Sequence, residues 1–218
     1  MSSPVELRSG QLAGRVAAVL LAASPWVPMS APAHAGGIES RVRSADDKPM
    51  VDAVVYAIPA QPVPPVSGKT IVIDQVNREF TPHVSVVQTG TAVSFPNKDN
   101  IRHHVYSFSP AKVFNLKLYS GVPSLPVVFD KAGEVSLGCN IHDRMSAFVL
   151  VVDTPWFAKT GTDGAARMRD LPAGDYVVHV WHPDTGDVSG GQTVHLKTDT
   201  AALQFVLPSA QQRPAAGR

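Results

Sequence analysis

The stretch Glu134-Val135-Ser136-Leu137-Gly138-Cys139-Asn140-Ile141-His142-Asp143-Arg144-Met145-Ser146-Ala147-Phe148-Val149-Leu150-Val151-Val152 decides how this chain is read. Its two ends are short apolar runs of strand character. The middle carries the only cysteine of the sequence, with a histidine and then a methionine at three-residue intervals. A thiolate, an imidazole and a thioether on one short loop form a soft donor set. Such donors suit copper far better than magnesium or calcium, which prefer oxygen. Zinc also takes a Cys-x-x-His pair, but the methionine, the lack of a second thiolate and the β setting argue against it.

The pattern on both sides of this loop is one of short strands. Nineteen prolines and sixteen glycines, with many valines, favour strands and turns over long helices. Strands are expected at residues 51–58, 70–76, 83–87, 91–95, 103–108, 127–129, 134–138, 147–152, 177–181, 192–196 and 201–207, with a shorter edge-like piece before residue 45. Residues 109–126 read as a loop or one irregular helical turn. Short strands at this spacing indicate an antiparallel sandwich. Pro59, Pro62, Pro64 and Pro65 form a stiff connector and a first boundary.

A net charge of +1 and the lack of a basic run give no reason to expect nucleic acid. One cysteine excludes an internal disulfide framework. At the start of the chain, Arg8 and Arg15 precede the apolar run of residues 16–23, and Ala33-His34-Ala35 offers a small-x-small cleavage site before Gly36. Residues 1–35 are therefore expected to be a secretory signal cut after Ala35. The apolar run is too short for a membrane span, and no arginine pair signals folded export. The expected product is soluble, and periplasmic if the source is a Gram-negative bacterium, with a disordered tail at residues 209–218.

The loop offers three donors, and a copper site of the His-His-Cys type with a weak axial methionine needs one more histidine. Candidates are His83, His103, His104, His179, His182 and His195. His103 and His104 open a strand just after the polar turn Asn97-Lys98-Asp99-Asn100, at the sandwich end where a loop between the last two strands would lie. Neighbours in a strand face opposite sides, so one of the two points at the metal. His179 and His182 are three apart and face opposite sides, which makes them structural or surface residues. Trp181 reads as core, and His83 and His195 as surface.

Glu79-Phe80-Thr81-Pro82, Gly90-Thr91-Ala92-Val93-Ser94-Phe95-Pro96-Asn97, His103-His104-Val105 and residues 133–152 together resemble the cupredoxins of the plastocyanin, pseudoazurin and amicyanin type. The Cys-x-x-His-x-x-Met spacing is most like amicyanin. The likeness covers about residues 69–153 and implies one type 1 (blue) copper ion bound by His103, Cys139, His142 and Met145. It places Asn97 in the surrounding polar network and His104 where these proteins usually carry asparagine. Phrases around the ligands also resemble the periplasmic cupredoxin-like proteins labelled methylamine utilisation proteins. The implied role is one-electron transport with a redox partner protein, a cytochrome or a dehydrogenase, by a monomer that is not an enzyme. The alternative is a copper-binding or sensing module whose second sandwich docks to a protein or carbohydrate.

Thr162-Asp163-Gly164 and residues 171–178 resemble the second half of the carboxypeptidase regulatory-like (transthyretin-like) β-sandwich, and residues 37–60 look like its first half. The expected fold class is thus all-β: a cupredoxin Greek-key sandwich at residues 66–153, inside a smaller sandwich built from residues 36–61 and 156–208. The physical motive is that a lone hairpin is barely stable, so the strands at residues 37–60 need partners from beyond the insert.

Overall fold

The computed structural model describes residues 36–187, 190–197 and 199–209, which all fall in one compact unit. The expected signal segment and all of the expected tail except Ser209 lie outside the described residues. The described chain is all-β. No helix among the described residues is long and apolar enough to cross a membrane.

Two strands come first, β1 (Gly37–Ser44) and β2 (Val54–Pro59). Ten follow: β3 (Thr70–Val72), β4 (Asp74–Val76), β5 (Glu79–Thr81), β6 (Val84–Gln88), β7 (Thr91–Ser94), β8 (His103–Ser109), β9 (Lys112–Tyr119), β10 (Val127–Phe129), β11 (Gly133–Gly138) and β12 (Ser146–Val152). Six close the described chain: β13 (Phe157–Lys159), β14 (Ala165–Arg169), β15 (Gly174–His182), β16 (Gly186–Asp187), β17 (Gln192–Leu196) and β18 (Ala201–Leu207).

The pairing of these strands runs across the chain rather than along it. β2 lies antiparallel to β15, with Val54 opposite Trp181 and Pro59 opposite Tyr176. β1 lies between β14 and β18, antiparallel to the first and parallel to the second. Ile38, Val42, Val55, Ala57, Leu171, Val178, Val180 and Phe205 fill the core between these two sheets. Strands from both ends of the described chain thus close one small sandwich. The segment before residue 45 is a central strand, not an edge. Its serines at Ser40 and Ser44 are buried beside Ile38 and Val42, and this polar filling hides the strand in a hydrophobicity pattern.

The intervening strands make a second sandwich. One sheet has the order β6-β12-β11-β8-β9 and the other β10-β7-β3, with β4 and β5 as a separate ribbon. Between the sheets, Ile73, Val87, Phe95, Val105, Phe129, Val135, Leu137, Ala147, Val149 and Val151 form the core. The expectation of a loop or helical turn at residues 109–126 is corrected: β9 pairs along β8 from Ser109↔Lys112 to His103↔Tyr119. Phe114 and Leu116 turn inward while Val113 and Asn115 face water, a period of two that the surrounding turn residues mask.

The two sandwiches meet on a third apolar cluster of Val54, Val84, Leu150, Val152 and Trp181. Trp181 packs against Phe148 with ring centroids 6.2 Å apart, and its indole N–H donates to Glu134 at 3.1 Å. Replacing a buried tryptophan removes both packing and transfer free energy. Trp181→Ala is expected to lower the unfolding free energy by about 3–5 kcal/mol, read as a drop in the urea midpoint.

Candidate metal centre

β11 and β12 pair in continuous register from Gly133↔Val151 to Gly138↔Ser146, so residues 139–145 span the gap between two adjacent strands at one end of the sheet. The loop is closed by the Met145 amide donating to the His142 carbonyl at 2.9 Å. Cys139 and Met145, at its two ends, are both buried in the core of the second sandwich. His142 is partly exposed, while Asn140, Ile141, Asp143 and Arg144 face water.

β8 brings His103 to the same place. The candidate donor atoms of His103, Cys139 and His142 all lie within 4.8 Å of one another. Cys139 Sγ is 3.9 Å from His142 Nδ1, and the two imidazole rings are 5.0 Å apart at 60°. Donors that share one ion through bonds of about 2.0 Å to nitrogen and 2.3 Å to sulfur fall in this range of separations.

The state of His103 tests whether a metal fits. The ring is fully buried, and its Nε2 lies 2.7 Å from Asp99 Oδ2. Its Nδ1 is buried without a hydrogen-bond partner. With Nε2 carrying the proton toward the carboxylate, Nδ1 presents a bare lone pair in the core, which is costly unless something accepts it. A metal ion among these donors removes that cost, and the carboxylate–imidazole pair is the usual outer support of a ligating histidine. The donor set therefore fits a soft or borderline ion such as copper.

Asp99, the carboxylate that supports His103 in the candidate centre, is not among the site residues expected from sequence. Its carboxylate also accepts the backbone N–H groups of Asn77 at 2.7 Å and Arg78 at 2.9 Å. Those two residues form the tight turn between β4 and β5, with φ of 56° and 62°, so their amides point the same way. Burial pushes the Asp99 carboxyl up, but the hydrogen bonds from Arg78, His103 and Asn77 outweigh it and hold the group below the usual carboxylate range. An acidic residue four positions before His103 was the available signal.

His104 turns to the other face of the sheet. Its Nε2 meets Asn115 Oδ1 at 2.7 Å, and it stands outside the group of converging donors. Asn97 is buried; its amide donates to the carbonyls of Ile101 and Tyr119 and its Oδ1 accepts from the Asp99 N–H. It thereby holds the turn that carries Asp99. Tyr119, directly opposite His103 in the sheet, donates its hydroxyl to the Phe95 carbonyl and accepts from Gln75. Burial pushes its phenol up to about 12, the Gln75 hydrogen bond opposes this, and the nearby Cys139 adds to the rise.

The remaining histidines lie elsewhere. His83 and His195 are exposed, His179 stacks on Tyr56 at 5.3 Å, and His182 contacts the Val51 carbonyl. Among the described residues no other group of three converging His, Cys, Asp or Glu side chains occurs. Asp99→Asn is expected to lower metal affinity by roughly 10–100-fold, measured by competition with a chelator.

No protein-family model and no curated protein matches this chain. Among solved structures, it is similar over 44% of its length to a Cu-containing nitrite reductase from Thermus scotoductus, at 24% identity and a TM-score of 0.38, and spans only 26% of that chain. It is similar over 38% of its length to a purple cupredoxin from Nitrosopumilus maritimus, at 23% identity and a TM-score of 0.33, covering 99% of that chain. An oxidized mutant of amicyanin aligns with 44% of this chain and 99% of its own, at 18% identity and a TM-score of 0.35.

Proposed function

We propose that this protein is a type 1 copper protein that carries single electrons, with His103, Cys139 and His142 as the close ligands of one ion and Met145 as the weak axial one. The observation that carries this reading is that His103, whose buried Nδ1 has no hydrogen-bond partner, converges with a buried thiol and a second imidazole, one donor atom of each lying within 4.8 Å of the others. Bound there, copper supplies one-electron chemistry between its two common oxidation states.

The chain's own residues account for the rest. Cys139, buried and free of any disulfide, provides a thiolate. His103 is held by Asp99 and by the sheet, and the loop ends are pinned by β11 and β12. A frame this constrained changes little with the charge of the ion, which favours fast electron exchange. His142 is the ligand nearest water and so the natural contact for a redox partner, a cytochrome or a dehydrogenase. In this reading the carboxylate and thiol beside His103 are outer support and ligand rather than catalytic groups. The metal-bearing part is residues 66–153, inserted between the two halves of the smaller sandwich. With the signal-like start of the chain, the expected place of work is the periplasm.

Loading with Cu(II) is expected to give intense visible thiolate-to-metal absorption and a reversible one-electron wave in voltammetry. Cys139→Ser should abolish the colour. Colourless copper binding without cycling would support a binding or sensing module instead. Met145→Leu is expected to retain the colour and shift the potential, read by the same voltammetry.

A further inference from the structure

Arginines gather on one face of the smaller sandwich. Along β1 the side chains of Ile38, Ser40 and Val42 turn into the core, while Glu39, Arg41 and Arg43 turn outward. Arg167 and Arg169 of β14 are exposed on the same face, because the register sets them opposite Glu39 and Gly37. The third strand of this sheet, β18, adds Ala202, Gln204 and Val206. Arg41 and Arg43 stand more than a hundred positions before Arg167 and Arg169, so no basic run marks the face in sequence.

The charge on this face is only partly answered. Arg43 pairs with Asp47 at 3.0 Å and Arg167 with Glu39 at 3.3 Å, both in contact with water. Glu39 is the one carboxylate among the outward positions of the three strands. Arg41 and Arg169 make no ion pair among the described residues. Ala165 and Gln204 flank Arg41, and Ala202 stands beside Glu39. The two alanines leave a shallow hollow of about 150 Å3 lined by Glu39, Arg41, Arg167 and Gln204. By strand geometry the four guanidiniums are spread over about 20 Å. The sheet is also an outermost layer. Its inner face packs on β2 and β15 across the core of Ile38, Val42 and Val55, and the far side of β2 and β15 meets the larger sandwich through Val54 and Trp181. The arginine face therefore points away from the sandwich that carries the candidate metal centre.

We propose that this face docks on the phosphate headgroups of an anionic lipid layer and leaves the loop of residues 139–145 free. A guanidinium suits phosphate because its fork of N–H donors pairs two oxygens of one group, and the basic side chains on these strands are all arginine. The hollow beside Arg41 gives one phosphate room to approach the sheet. A protein partner calls for aromatic or methionine anchors, which interface cores concentrate. The outward positions of the three strands hold none, and Val206 is their one large apolar side chain. The attraction is electrostatic, so salt weakens it by screening the charges. It does not depend on the copper reading, since no candidate ligand takes part.

The test uses the metal-free full chain with vesicles of phosphatidylcholine mixed with phosphatidylglycerol, and with vesicles of phosphatidylcholine alone. Sedimentation is expected to show stronger binding to the anionic vesicles, and high salt should remove that excess. Arg41→Gln and Arg169→Gln should each weaken it about fivefold. Both side chains are exposed, so their replacement leaves the core intact. Lys117→Gln, the same change of charge on the larger sandwich, should leave binding unchanged. Residues 1–35 are common to every variant and contribute equally to each. Wild-type binding by the double arginine variant, equal weakening by Lys117→Gln, or binding to polyglutamate as tight as to the anionic vesicles would each overturn the proposal.

Discussion

Burial of β12 on both of its faces is the constraint on which this molecule depends. Ala147, Val149 and Val151 point into the core beside the candidate ligands, while Phe148, Leu150 and Val152 point at the smaller sandwich. A strand apolar on both faces cannot sit at a water-facing sheet surface without exposing one of them. Covering the second face with the smaller sandwich buries several large side chains, each worth about 1.5–3 kcal/mol. The same strand anchors the end of the loop of residues 139–145, so the stability of the sandwich contact and the geometry of the loop share one element.

Around the candidate centre, order is imposed by polar contacts that converge from separate turns. Asp99 joins the β4–β5 turn to His103, and Asn97 joins the Asp99 turn to the end of β9. The contacts of His103 and Asn97 are partly buried, where an unpaired polar group is expensive and a paired one rigid, while those from the Asn77 and Arg78 amides are exposed. His103 Nδ1 is buried without a partner, on the residue that converges with Cys139 and His142. A bare lone pair on a residue that converges with a thiol and a second imidazole is what a ligand site looks like from the protein's side.

The candidate donors themselves were legible because Cys139, His142 and Met145 are adjacent in sequence and chemically unusual together. Their strand setting was legible from the apolar runs on each side. Less could be read where structure depends on distant contacts. β9 escaped because its alternation is interrupted by Lys117 and Leu118, and the central place of β1 because serines fill half of its buried face. Asp99 escaped because a carboxylate in a polar turn looks like a solvated residue until the turn folds over a histidine. The arginines of β1 and β14 look scattered in sequence, and register alone sets them side by side.

By itself, then, the sequence determined the β character and the soft donor set, because both are written in local composition and spacing. The likeness already pointed to His103, and the tertiary structure supplies the reason, since His103 and His104 differ by one position and it is His103 that converges with Cys139 and His142. The tertiary structure likewise fixes the partners and register of β1 and β2 within the sandwich expected from residues 36–61 and 156–208. The physical reason is the same in both cases. Side-chain direction and strand partnership follow from the register of whole sheets, and register is fixed by the sum of buried contacts rather than by any short stretch of chain.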